Sequence, residues 1–236
     1  MTTRGCPKRS TLLAGLVGLI LCAGDGRSDE ADYATWFDYN PKWKSGERLL
    51  FYGDTGVRNN YKDPRWWRYV LRANVGYETG SWLLTGGVGN FYTDFAGAFH
   101  VYELRPWQGA LAYWPASGFR LSHLFRLEER FFFDTDDGNS IFRVRFRYQI
   151  GTVVAWSSSE GGGGWNSPFS IEAFFMFDDK ASDRFGEEAR ITAGIARVFS
   201  PKSRLQLDLM WQSTARLTEF YSERELSLRV RFFQSV

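Results

Sequence analysis

Residues 141–150 read Ile141-Phe142-Arg143-Val144-Arg145-Phe146-Arg147-Tyr148-Gln149-Ile150. Phe142, Val144, Phe146, Tyr148 and Ile150 fall on one side of an extended chain, and Val154 and Trp156 continue that face. Arg143, Arg145, Arg147 and Gln149 fall on the other. Side chains alternate sides only in a strand, so this stretch is a β-strand with one apolar and one cationic face. No helical stripe competes with it. The same alternation fills 119–133, where Phe119, Leu121, His123, Phe125, Leu127, Glu129, Phe131 and Phe133 oppose Arg120, Ser122, Leu124, Arg126, Glu128, Arg130 and Phe132. Near the end of the chain Leu226, Leu228, Val230 and Phe232 oppose Glu225, Ser227, Arg229 and Arg231. Related patterns occupy 47–58, 66–79, 81–92, 97–113, 167–179, 187–200 and 203–215. All ten segments are long enough to cross a bilayer as tilted strands, which takes about 9–11 residues.

Alternating strands build either a soluble sandwich or a transmembrane barrel. The polar faces favour the barrel. They are rich in Arg, with 23 Arg to 6 Lys in the chain. The planar guanidinium pairs bidentately with carboxylates on neighbouring strands, which suits a crowded lumen. Aromatic side chains gather near strand ends at Trp66, Trp67, Trp107, Trp114, Trp156 and Trp211, as expected of rings at membrane interfaces. Longer links near 59–65, 93–96, 134–139, 180–186 and 216–222 alternate with short ones near Thr79-Gly80, 114–118 and Ser200-Pro201-Lys202. The stretch from Ser157 to Pro168, with glycines at 161–164, is long where a short turn is expected. Counting from residue 47 predicts an antiparallel up-and-down barrel of ten strands with both ends periplasmic. Twelve is the alternative, because 25–46 is left over as a short extra strand or a plug.

The chain begins with Arg4, Lys8 and Arg9 ahead of an apolar run from Leu12 to Ala23. That is the form of a cleaved secretory signal peptide, and we place cleavage after Gly24. The domain scheme is therefore a signal peptide at 1–24, an N-terminal segment at 25–46 and an outer-membrane barrel at 47–236. Cys6 and Cys22 both lie in the leader, so the folded part has neither a disulfide nor a cysteine metal site. An aromatic content of 18% argues against disorder. A formal charge of +2 gives no case for nucleic acid.

Three further runs extend the pattern. They are Glu103-Leu104-Arg105-Pro106-Trp107-Gln108, the run from Leu121 to Phe131, and Ile171-Glu172-Ala173-Phe174-Phe175. Together with Phe142 to Tyr148, in this order over most of the chain, they resemble the bacterial outer-membrane barrel family catalogued as domain of unknown function 2490. The resemblance implies an outer-membrane β-barrel of a Gram-negative cell and carries no activity, cofactor or catalytic residue. Partners implied for such a barrel are outer-membrane lipids, lipopolysaccharide and the barrel-assembly machinery.

The candidate site is an inward-facing charge cluster: Arg120, Arg126, Glu128, Arg130, Arg143, Arg145, Arg147, Glu172, Arg229 and Arg231, with Arg190, Arg204, Asp208 and Glu225 pointing the same way. Its plain reading is paired charge that fills a narrow lumen and holds it shut. Its functional reading is a pore or pocket for small anionic solutes. The alternative class is an outer-membrane enzyme acting on lipid or peptide, which needs a base beside a nucleophile or a second acid. His100 and Glu103 are three residues apart and Ser122 and His123 are adjacent, so each pair falls on opposite faces of its strand. An acidic pair drawn from Asp54, Asp136, Asp137, Asp178 or Asp179 stays open. No metal motif, phosphate loop or nucleophile elbow is present. The expectation is a non-catalytic envelope barrel without cofactor or metal.

Overall fold

The computed structural model describes residues 32–61, 65–96, 99–116, 119–158, 163–177, 187–215 and 222–236. The expected leader at 1–24 lies outside these residues. Within them the chain forms eleven strands: β1 (Asp32–Ser45), β2 (Leu49–Asn60), β3 (Trp66–Thr79), β4 (Trp82–Asp94), β5 (His100–Ala116), β6 (Phe119–Asp134), β7 (Ser140–Ser158), β8 (Gly164–Met176), β9 (Glu187–Ser200), β10 (Ser203–Ala215) and β11 (Ser222–Ser235). Each strand pairs with its sequence neighbour, and β1 pairs with β11 to close the barrel.

The eleventh strand is β1, which occupies most of the segment left over by the count from residue 47. Strands of an up-and-down barrel alternate in direction, so an odd number makes the first and last run the same way. The closing pair is accordingly parallel, in register from Asp32↔Glu225 to Lys42↔Ser235. The other ten pairs are antiparallel. Parity also corrects the expected position of the N-terminal end of the barrel, while its C-terminal end stays at the rim of the shorter connections. The connections after β1, β3, β5, β7 and β9 share one rim and those after β2, β4, β6, β8 and β10 the other. Asp32 opens at the rim of the longer connections, and Ser235 ends at the rim of the shorter ones. The stretch around 157–168 is shorter than expected but remains the longest link at its rim, equal in length to 61–65, 95–99 and 135–139 at the other. Strand β7 runs to Ser158 and β8 begins at Gly164, leaving only 159–163 between them.

Side chains sort by face. Outward lie Tyr33, Phe37, Tyr69, Leu71, Leu84, Ile171, Phe175, Leu207, Leu209 and Leu228, each more than a third exposed. Inward lie Arg130, Glu103, Glu128, Asp208 and Gln206, all essentially buried. Apolar outside and charged inside is the reverse of a soluble domain. Glu129 on β6 breaks the outer pattern, in register with Val144 of β7. An eight-stranded barrel is about filled by ordinary side chains, and diameter grows with strand number. The long reach of Arg and Glu fills this wider lumen.

Prolines mark interruptions in the ladder, because a proline donates no backbone hydrogen bond. Pro106 keeps register with Val88 of β4, but the β5–β6 pairing skips from Leu104↔Phe131 to Trp107↔Glu128. Pro168 likewise pairs with Val153 of β7, while the β8–β9 pairing skips from Asn166↔Ala196 to Phe169↔Ala193. The glycines of β4 serve packing. A Cβ on Gly87 would overlap Asn74 and come within 3.0 Å of the Trp107 ring, so the glycine seats that indole against the barrel wall.

Candidate functional site

The lumen is crossed by a continuous chain of ion pairs built from in-register inward positions. Glu128 stands opposite Arg145, and Glu172 stands opposite Arg190. Glu103 Oε1 lies 2.6 Å from Arg105 Nη2 and 2.8 Å from Arg130 Nε. Glu128 takes Arg145 Nη2 at 2.7 Å on Oε2 and Arg147 Nη1 at 2.6 Å on Oε1. Arg105 and Arg126 lie within 3.8 Å of the same carboxylate. Arg147 passes the chain on to Glu172 Oε1 at 2.6 Å, and Glu172 Oε2 meets Arg190 at 3.3 Å. One line of alternating charge thus runs from β5 to β9.

The closing strands carry a second set of pairs. Asp208 of β10 accepts from Arg231 at 2.7 Å, and Asp38 of β1 accepts from Arg229. Asp54 of β2 holds Arg72 through both carboxylate oxygens, at 2.8 Å for the closest contact. Gly194 makes room here, since a Cβ on it would overlap Asp208 Oδ1. Guanidinium groups also stack on lumen rings: Arg126 on Trp107 at 3.9 Å, Arg58 on Trp36 at 3.8 Å and Arg105 on Phe91 at 4.1 Å. Stacking places the delocalised cation against a ring face while its edge remains free to donate.

Nine of the ten residues expected in the cluster face this lumen: Arg126, Glu128, Arg130, Arg143, Arg145, Arg147, Glu172, Arg229 and Arg231. Arg120 is corrected out of it. It is the second residue of β6, exposed at the short-connection rim, with its guanidinium over Tyr113 at 3.7 Å. The face phase is right, but a rim position sets it away from the central charges. Asp38, Arg58, Arg68, Arg72, Glu103 and Arg105 join the lumen although none of them is among the residues expected in the cluster. Each of Arg58, Arg68 and Arg72 stands in a strand that also sends Val, Asn or Gly inward, so none belongs to an Arg-rich run. The usable signal was the period of two itself, which puts Arg68, Val70 and Arg72 on one face of β3.

Between these side chains lies a cavity of about 70 Å³, lined by nine arginines (Arg58, Arg68, Arg72, Arg105, Arg130, Arg145, Arg147, Arg190 and Arg229) and by Trp36 and Phe91. Most of these positions fall in the half of their strands nearer the longer connections. Trp36 is the fifth residue of β1, and Arg58 is the third from the end of β2.

Of the described groups weighed for catalysis, His100 and Asp136 come together at the rim of the longer connections, while Asp54 and His123 stand elsewhere. Asp54 is held by Arg72 in the lumen. Asp136 accepts from the backbone N–H of His100 at 2.6 Å and lies 3.2 Å from its Nδ1. These hydrogen bonds hold the exposed Asp136 carboxyl below its usual range and tie the start of β5 to the β6–β7 loop. Asp137 caps the same loop by accepting from the Asn139 backbone. Asp178 and Asp179 lie outside the described residues. His123 faces outward, with Nδ1 2.9 Å from the Tyr148 hydroxyl and its ring against Trp114. Among the described residues there is no group of three or more His, Cys, Asp or Glu that could hold a metal ion.

The family described as "Protein of unknown function (DUF2490)" matches residues 33–222, from β1 to the first residue of β11. The match therefore covers 33–46 of the leftover segment together with β2 to β10. No curated protein matches the chain.

Proposed function

We propose that this chain, which belongs to the family described as protein of unknown function (DUF2490), is an outer-membrane barrel of a Gram-negative envelope. It does no catalysis, and its arginine lumen holds small anionic solutes. The observation that carries the reading is the inverted distribution of polarity. Phe37, Leu71, Leu209, Leu228 and Phe175 are exposed around the wall while Glu128, Arg130 and Asp208 are buried inside it. In water that wall would be an apolar patch far larger than a monomeric soluble protein normally exposes. In a bilayer it is solvated by acyl chains, and closure of the sheet leaves no unpaired edge. The basic, apolar leader at 1–24 supports export, and the usual bacterial arrangement puts the longer connections outside the cell. Lipopolysaccharide and the assembly machinery are then the expected partners. Among the described residues no base and nucleophile come together to favour a lipid or peptide enzyme.

Because ion pairs span the lumen, passage of ions is blocked rather than free. Reconstituted in planar bilayers, the wild-type barrel should show little conductance. Replacing Arg143, Arg145 and Arg147 together with Gln should raise the conductance or change its ion preference. A triple variant that still migrates as a folded barrel but conducts like the wild type would contradict the assignment of these side chains as the plug.

A further inference from the structure

We propose that the arginine-walled cavity is a binding site for a single phosphate group, held rather than passed. The inference rests on the reading of the lumen as an anion chamber and names its ligand. Among the described residues the cavity wall carries arginines and two aromatic rings but no carboxylate. Two of its polar atoms lack any hydrogen-bond partner: the indole Nε1 of Trp36 and the Nε of Arg58. These side chains are only 2% and 8% exposed. They lie against one another, with the Arg58 guanidinium 3.8 Å from the Trp36 ring centre. Buried donors are almost always satisfied, and an orphaned pair beside a cavity points to a group that arrives from outside.

The cavity selects the class of that group. Both orphaned atoms are donors, and the surrounding wall is cationic, so the ligand must be an anion with several acceptor oxygens. A phosphate monoester carries about −1.5 to −2 charges near neutral pH and three strongly accepting oxygens. It also matches the fork geometry of guanidinium groups. A volume of about 70 Å³ is roughly five to seven times the minimum for one water, which suits the five heavy atoms of a phosphate group and excludes a nucleotide. Arg190 and Arg229 each lie 5.5 Å from the same Trp36 ring. Strands β1, β2, β9 and β11 therefore meet at this one place, and the site exists only because the barrel closes through its parallel seam.

The test is calorimetric titration of the full-length mature barrel, refolded in uncharged detergent at low ionic strength, with inorganic phosphate. Saturable binding is expected. Arg58→Gln should weaken it roughly ten- to a hundredfold, the loss of one hydrogen bond to a charged group. Trp36→Phe, which keeps the ring and removes only the N–H, should weaken it several-fold. Arg120→Gln, at the far rim, should bind like the wild type. Competition by a short-chain phosphatidic acid would identify a lipid headgroup as the source of the phosphate, and its failure to compete would identify a free solute. No saturable binding to a correctly folded wild-type barrel would overturn the proposal. So would equal affinity in Arg58→Gln, Trp36→Phe and Arg120→Gln, which would reduce the effect to the general charge of the lumen. Neither result touches the membrane reading, which is decided by fractionation and heat-shifted migration.

Discussion

Glu128→Gln should destabilise the folded barrel by about 3–5 kcal/mol, the range for removing one partner of a buried ion pair. The substitution preserves shape but removes the charge and turns one of the two acceptor oxygens into an NH2 donor facing guanidinium donors, so the loss is electrostatic together with one charged hydrogen bond. Glu128 is 1% exposed and bridges Arg145 and Arg147, with Arg105 and Arg126 also within 3.8 Å. Neutralising it removes the charge that these four guanidinium groups share, away from water, and leaves Glu103 beside Arg105 and Glu172 beside Arg147 as the nearest remaining counter-charges. Equilibrium unfolding by urea in detergent micelles reads the change. A second substitution, Arg145→Met, should restore part of the stability, because it relieves the repulsion that the first creates. Such non-additivity is the signature of groups in direct contact. A Glu128→Gln barrel within about 0.5 kcal/mol of the wild type, the usual range for surface substitutions, would mean that water already screens the lumen charges.

The second large effect lies on the opposite face. Leu228 is the seventh residue of β11 and Leu209 the seventh of β10. They stand in register with one another and are each 48% exposed. In a bilayer both sit near the midplane, where Arg on the lipid face of a barrel costs about 2–4 kcal/mol. Leu228→Arg should therefore lower the stability or yield of the assembled barrel by that amount, read as the fraction with folded migration after refolding into vesicles. The same substitution at a water-facing position would be nearly neutral. Unimpaired assembly of Leu228→Arg would place that face in water.

Much of this architecture is legible in a period of two. The alternation at 66–79 and 187–200 coincides with β3 and β9, and that around Phe142 to Trp156 lies within β7. Strand β1 is harder to read. It sends Tyr33, Phe37 and Tyr39 outward but Trp36 inward, so both faces are aromatic and the contrast in polarity fades. Pro41, Lys42 and Lys44 then blur its end. Missing that strand changes the parity, and parity decides the direction of closure and the rim at which each end emerges.

The charge cluster is partly legible for a related reason. Arg143, Arg145 and Arg147 announce themselves as a run, and their partners Glu128 and Glu172 lie on adjacent strands in predictable register. The cavity is not legible in this way. Trp36 and Arg58 meet Arg190 and Arg229 across the closing seam, and no local pattern states that β1 lies beside β11. A site assembled by closure of a ring is a property of strand number, which the count from residue 47 set at ten.

The most direct test of the central claim, a barrel with its apolar wall in lipid, is fractionation of cells expressing the full-length chain. It is combined with gel migration of the mature protein before and after boiling. Recovery in the outer-membrane fraction is expected, with a compact unboiled form that shifts on heating. Recovery in the soluble periplasm, with identical migration before and after boiling, would contradict it.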